Sequence, residues 1–276
     1  MNPSGTKTVI RKITLYMILM LLGKILAGFF SDGTLLGNAL SDLCIFLFML
    51  LPVLYETKRG LPLPELKRPP LLSLPFFFLL PLTSALIAWG WSQIVPPNTE
   101  NTVGMPIWYA VLFFALLPAL LEELFFRHYL LCALKGANGS AGGTVLLSAF
   151  LFSLSHTDFY QMPYAFLAGL LLGLAAVMSG SFLLPFALHF FNNLCSLYFL
   201  PLLSLPYFLL GLSSLLVLSS LFVLLLQKKR KVALIPSALS ALFTDGEGRR
   251  RLLLVALSSP IWVLFALAIS FTIWKG

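Results

Sequence analysis

An all-α, polytopic membrane helix bundle is the fold class this chain predicts, and three observations carry it. Hydrophobic residues make up 59% of the 276 and charged ones 10%, against roughly 25% charged in an ordinary soluble domain. The mean hydropathy is +0.96, with apolar residues gathered into runs long enough to cross a bilayer. Lys and Arg concentrate in alternate connections between those runs. A soluble globule has no means of covering so much apolar surface with 18 basic and 10 acidic side chains. The composition therefore excludes a soluble enzyme, a disordered chain and a nucleic-acid binder. The formal charge of +8 looks basic, but membrane topology can also produce such a balance.

A span needs about 20 mostly apolar residues, and nine candidates follow one another. The first, 13–30, is interrupted by Lys24 and lacks a clear small-residue cleavage site, so it reads as a retained span and not a signal peptide. The second, 37–55, carries Asp42, and the third, 71–94, carries no charge. The fourth, 106–134, is the longest and holds Glu122, Glu123, Arg127 and His128. The fifth, 144–156, is too short to cross alone and the sixth, 163–178, is marginal. Both suit helices packed inside a bundle, where protein and not lipid surrounds them. The seventh, eighth and ninth run over 182–200, 206–226 and 252–274. The reading is one membrane-embedded domain over 1–276 with eight to nine helices. No soluble appendage or internal repeat is evident. Cys44, Cys132 and Cys195 all lie in apolar stretches without a CxxC and read as packing residues.

The basic residues set the orientation. With the N-terminus cytoplasmic, fifteen of the eighteen Lys and Arg fall on the inner side, in segments at 7–12, 58–68, 135 and 228–251. The outer loops 31–36, 95–105, 157–162 and 201–205 carry none. That skew follows the positive-inside rule. The clusters at 228–231 and 249–251 also suit anionic lipid headgroups, at about 1 kcal/mol per residue near the surface.

An ionisable side chain at mid-membrane costs at least about 2.5–3.5 kcal/mol, so each one needs a reason. Lys24 and Asp42 fall at similar depth in adjacent spans, and a structural pair between them is the simplest account. The fourth span is different. Glu123 and Arg127 are four apart and can pair on one face. Glu122, about 100° further round the helix, then needs polar groups from other helices. His156 and His189 are the candidates, with Asn193 four residues beyond His189 and Phe152 four before His156. At about 1.5 Å per residue, Glu122 and His156 both lie roughly 18 Å from the inner end of their helices, Asn193 roughly 16 Å and His189 roughly 10 Å. They occupy nearly one layer. His128, about 120° round from Glu122, reads as interfacial.

Glu122-Glu123-x-x-x-Arg127, Phe152-x-x-x-His156 and His189-x-x-x-Asn193, in that order on separate helices, resemble the CPBP family of intramembrane proteases. That family includes the eukaryotic CAAX prenyl endopeptidase and bacterial Abi-type proteins. The resemblance covers about residues 118 to 196 and all three motifs are complete. It implies peptide-bond hydrolysis, with a catalytic core over about 106–200 and a peptide or protein substrate at the membrane. Glu122 would activate water as general base and His156 would orient that water. His189 and Asn193 would donate to the oxyanion, a contribution of about 3–4 kcal/mol. Glu123, Arg127 and Phe152 would support them. A second mechanism uses zinc on Glu122, His156 and His189, with Glu123 as base. The first needs no cofactor and the second needs zinc; spacing alone does not separate them. Two non-protease readings are a proton-coupled carrier, for which matching repeats are not seen, and a non-catalytic immunity or binding protein of the same family. The short loops suit a multi-pass protein of a bacterial plasma membrane, with the endoplasmic reticulum as the alternative.

Overall fold

The computed structural model describes residues 3–67, 84, 88, 105–136 and 141–198, and all regular structure among them is helical. Six helices can be delimited among the described residues: α1 Pro3–Ala27, α2 Leu35–Lys58, α3 Ile107–Lys135, α4 Ala141–Ser155, α5 Met162–Ser179 and α6 Leu183–Tyr198; residues 84 and 88 are helical as well. Helices α2 and α3 are each long and apolar enough to cross a membrane. The eighth and ninth candidate spans, and the third apart from residues 84 and 88, lie outside the described residues.

Helices α1 and α2 form an antiparallel hairpin. Thr34 caps α2, its Oγ1 accepting from Gly37 N–H at 3.0 Å and so satisfying one of the donors a helix start leaves open. The hairpin is closed at its far end by Glu56, which accepts from Tyr16 and from Lys12 Nζ. Outward from it, Leu36, Leu40, Leu43, Leu47, Leu51 and Leu54 form an exposed stripe along α2 at helical spacing. Water would penalise such a stripe, whereas lipid accepts it.

Helix α3 departs from the uniform α-helix that the spacing argument assumes. It contains two π-helical stretches, Ala110–Leu116 and Glu123–Leu130. The first precedes Pro118, which has no N–H to donate and whose ring crowds the carbonyl four residues back. A widened turn, with Leu117 N–H on Leu112 O, relieves that crowding. The second stretch begins at Glu123 and carries the glutamate and arginine of the motif.

Helices α4 and α5 are the tightest pair. A Cβ on Gly169 would stand 3.0 Å from the Ala149 Cα, and one on Gly173 would stand 2.9 Å from Val145 Cγ1. The GxxxG spacing thus brings the two backbones together, as small residues do between membrane helices. The main core joins five helices through Met17 and Met20 of α1, Met49 of α2, Phe125, Phe126 and Tyr129 of α3, Leu151 and Phe152 of α4, and Ala165 of α5. Leu184 and Leu188 dock α6 on the far part of α5.

Candidate active site

Helices α3, α4 and α6 meet around Phe152. Its fully buried ring touches Arg127, whose Cζ stands 4.3 Å over it, and meets the His156 and His189 rings edge-on at 4.7 and 5.7 Å. A quadrupolar ring accepts a cation on its face and ring edges around it, so one phenyl group fixes three polar side chains.

Glu123 and Arg127 form the expected i,i+4 ion pair, Arg127 Nη1 to Glu123 Oε1 at 3.0 Å, with side chains 0% and 1% exposed. Its alignment is that of an ion pair and not of a directed hydrogen bond. Arg127 Nη2 donates instead to Gly169 O at 3.4 Å. Glu123 has a second partner that the spacing argument does not supply, since His189 Nδ1 stands 2.8 Å from the same Oε1. An ionised carboxylate only accepts, so the proton on that bond belongs to His189 Nδ1. Nε2 is thereby left facing Glu122, at 3.6 Å from its Oε2.

Glu122 is 15% exposed and its Oε2 has no hydrogen-bond partner. A buried acceptor without a donor calls for a partner such as water or a ligand, and Glu123 Oε2 next to it is in the same state. His156 follows the last residue of α4, its Nδ1 donating to Phe152 O at 2.9 Å, and it lies within electrostatic reach of Glu122, Lys24 and His189. Asn193 lies half-buried on α6, one turn beyond His189. Its neighbour Asn192 is the more buried of the two, with an unpartnered Oδ1.

The zinc alternative finds no ready-made ligand group among the described residues. Glu122, His156 and His189 do not converge as one ligand group, and among the described residues no three His, Cys, Asp or Glu side chains do. His189 Nδ1 is engaged by Glu123 and His156 Nδ1 by the Phe152 carbonyl, outer contacts that a metal-bound histidine would also make, with Nε2 left over in both rings.

His128 stands apart from the cluster, with Nε2 donating to Pro62 O at 2.7 Å. Asp42 accepts from Tyr109 at 2.7 Å, while Lys24 donates to His156 O at 3.0 Å and Thr157 Oγ1 at 3.2 Å. A Lys24–Asp42 pair is neither required nor opposed by these contacts. Spacing did not reveal the link from Lys24 to the histidine, nor the Gly169 carbonyl under Arg127. The second had a readable signal in the GxxxG of 169–173.

The family model for type II CAAX prenyl endopeptidase Rce1-like proteins matches residues 104–195. This is about a third of the chain and takes in all three motifs. It agrees with the resemblance to the CPBP, or CAAX protease, family read from the residues, and the class it points to is a membrane protease. No curated protein and no solved structure matches the chain.

Proposed function

We propose that this chain is an intramembrane endopeptidase that hydrolyses a peptide bond of a membrane-associated peptide or protein with a water activated by Glu122. The observation that carries the reading is the unequal engagement of two adjacent glutamates. Glu123 is held through its Oε1 by Arg127 and His189, whereas Glu122 has no such hold and meets His189 Nε2 across 3.6 Å; its Oε2, like that of Glu123, makes no hydrogen bond.

In this reading water lies against Glu122, and His156 orients it. As water attacks the scissile carbonyl carbon, Glu122 takes its proton and later passes it to the departing amine. His189 Nε2 and Asn193 Nδ2 stand for the oxyanion, and donors of this kind are worth about 2.7–4 kcal/mol. With Nδ1 donating to Glu123, Nε2 acts as a donor only when the ring also carries a proton there. Phe152 and Arg127 hold the layer in shape. The lipid-facing stripe on α2 and the basic segments support a multi-pass protein with a cytoplasmic N-terminus and eight to nine helices. We place it in a bacterial plasma membrane, its inner loops against anionic headgroups, with the endoplasmic reticulum as the alternative.

The test is to compare peptide termini in membranes holding wild-type protein with those holding Glu122→Gln. Alongside it, the purified proteins are given a farnesylated C-a-a-X peptide and its unprenylated form in detergent. Termini that vanish in Glu122→Gln support the reading. Identical termini in both membranes, with neither peptide cleaved by wild type, overturn it.

A further inference from the structure

The helix that bears His156 ends one residue before it. Past Ser155 the backbone tightens, with His156 N–H on Ser153 O and Thr157 N–H on Leu154 O, both at 3.2 Å. Thr157 then turns with φ of 54°, in the left-handed region that a β-branched residue rarely occupies. Such a turn persists only where its surroundings hold it. Thr157 Oγ1 donates to His156 O at 2.7 Å, and Lys24 Nζ crosses from α1 to donate to that same carbonyl at 3.0 Å and to Thr157 Oγ1 at 3.2 Å. An ammonium at a helix C-terminus satisfies carbonyls that the helix leaves open and complements its dipole. His156 is therefore held twice, its backbone by α1 and its ring by Phe152. Lys24 lies outside the matched stretch 104–195.

We propose that Lys24 is a positioning residue for His156, its ammonium pinning the left-handed turn at 156–157 and so setting where the His156 imidazole stands beside Phe152. The inference rests on the peptidase reading for its kinetic readout and is independent of it for its structural one.

The experiment uses the purified full-length chain in detergent as wild type, Lys24→Met, Lys24→Arg, Thr157→Val, and Lys24→Met with Thr157→Gly. Amide hydrogen exchange over residues 153–160 reads the turn without substrate. Cleavage of the farnesylated C-a-a-X peptide reads the reaction. Lys24→Met should exchange faster at 156–158 and lose about 10–100-fold in kcat, the range for groups that orient a functional side chain, with KM little changed. Lys24→Arg keeps a donor and should recover part of both. Gly at 157 adopts positive φ without support, so the double variant should turn over faster than Lys24→Met alone. Exchange or kcat left at the wild-type value in Lys24→Met overturns the proposal. If Lys24→Met does not accumulate, Thr157→Val, which removes the Oγ1 contacts to His156 O and Lys24 Nζ, must speed exchange and lower kcat or the proposal falls. If wild type leaves the peptide intact while exchange responds as stated, the peptidase assay has failed and the hold of Lys24 on the turn stands.

Discussion

At the scale of single residues, His189 distinguishes two glutamates that are adjacent in the chain. Its Nδ1 is 2.8 Å from Glu123 and its Nε2 3.6 Å from Glu122. One carboxylate thus orients the imidazole and the other stays available. Glu122→Gln, His156→Ala and His189→Ala should each abolish cleavage while the protein still accumulates in the membrane. Turnover of the farnesylated peptide checks this, and full activity in any one variant removes that residue from the mechanism. Arg127→Ala leaves Glu123 buried without its cation, which costs about 3–5 kcal/mol, and should lower the thermal midpoint sharply. Arg127→Lys should restore only part, because a point charge lacks the planar fork that lies over Phe152. Glu123→Gln with Arg127→Gln removes both charges and should melt higher than Arg127→Ala. It should still run about 10–100-fold slower than wild type, since a neutral amide orients His189 less firmly. A double variant as unstable as Arg127→Ala would refute the pairing, and one as fast as wild type would refute the hold on His189.

At the scale of elements, the site depends on how closely α4 and α5 approach. A Cβ on Gly169 would stand 3.0 Å from the Ala149 Cα and 3.1 Å from Phe152 Cδ1, and the Gly169 carbonyl receives Arg127. A Cβ on Gly173 would meet a terminal methyl of Val145 at 2.9 Å, so what must shift there is the end of a side chain and not a backbone. Gly169→Ala should therefore destabilise by about 1–3 kcal/mol, the usual cost of overpacking, and should slow turnover by displacing Phe152. Gly173→Ala should be milder, and Val145→Ala should offset it. Thermal unfolding of the three proteins in detergent decides the order. Equal midpoints for the two glycine variants would mean the helices separate freely and that contact with the Ala149 backbone is not the constraint.

At the scale of the whole molecule, charge placement and packing describe the same two ends. Lys12–Glu56 and His128–Pro62 lie toward one end of the bundle, and Asp42–Tyr109 and Lys24–His156 lie away from it. Helices alternating in direction produce that segregation. A reporter fused after residue 231 should report the cytoplasm, because the flanking basic residues resist translocation. One fused after residue 276 should report the outer side if nine spans are present, and the cytoplasm if there are eight. An external signal at 231 would reverse the orientation and sink the topology.

Composition, the periodic apolar runs and the rarity of charge within them were enough to determine a helical membrane protein, because each is a property of the chain counted along itself. The same holds for Glu123 with Arg127, since four residues along a helix is a local distance. Glu122, His156 and His189 were legible as candidates from the cost of burying them. Their division of labour was not, for it turns on which imidazole nitrogen reaches which oxygen. The widened turn beginning at Glu123 shifts the phase of the helix that carries the pair. The hold of Lys24 on the His156 turn joins residues 132 apart in sequence. No spacing rule encodes a contact of that kind. Only the packing of α1 against the end of α4 decides it, because a hydrogen bond acts over about 3 Å and the sequence records order, not distance.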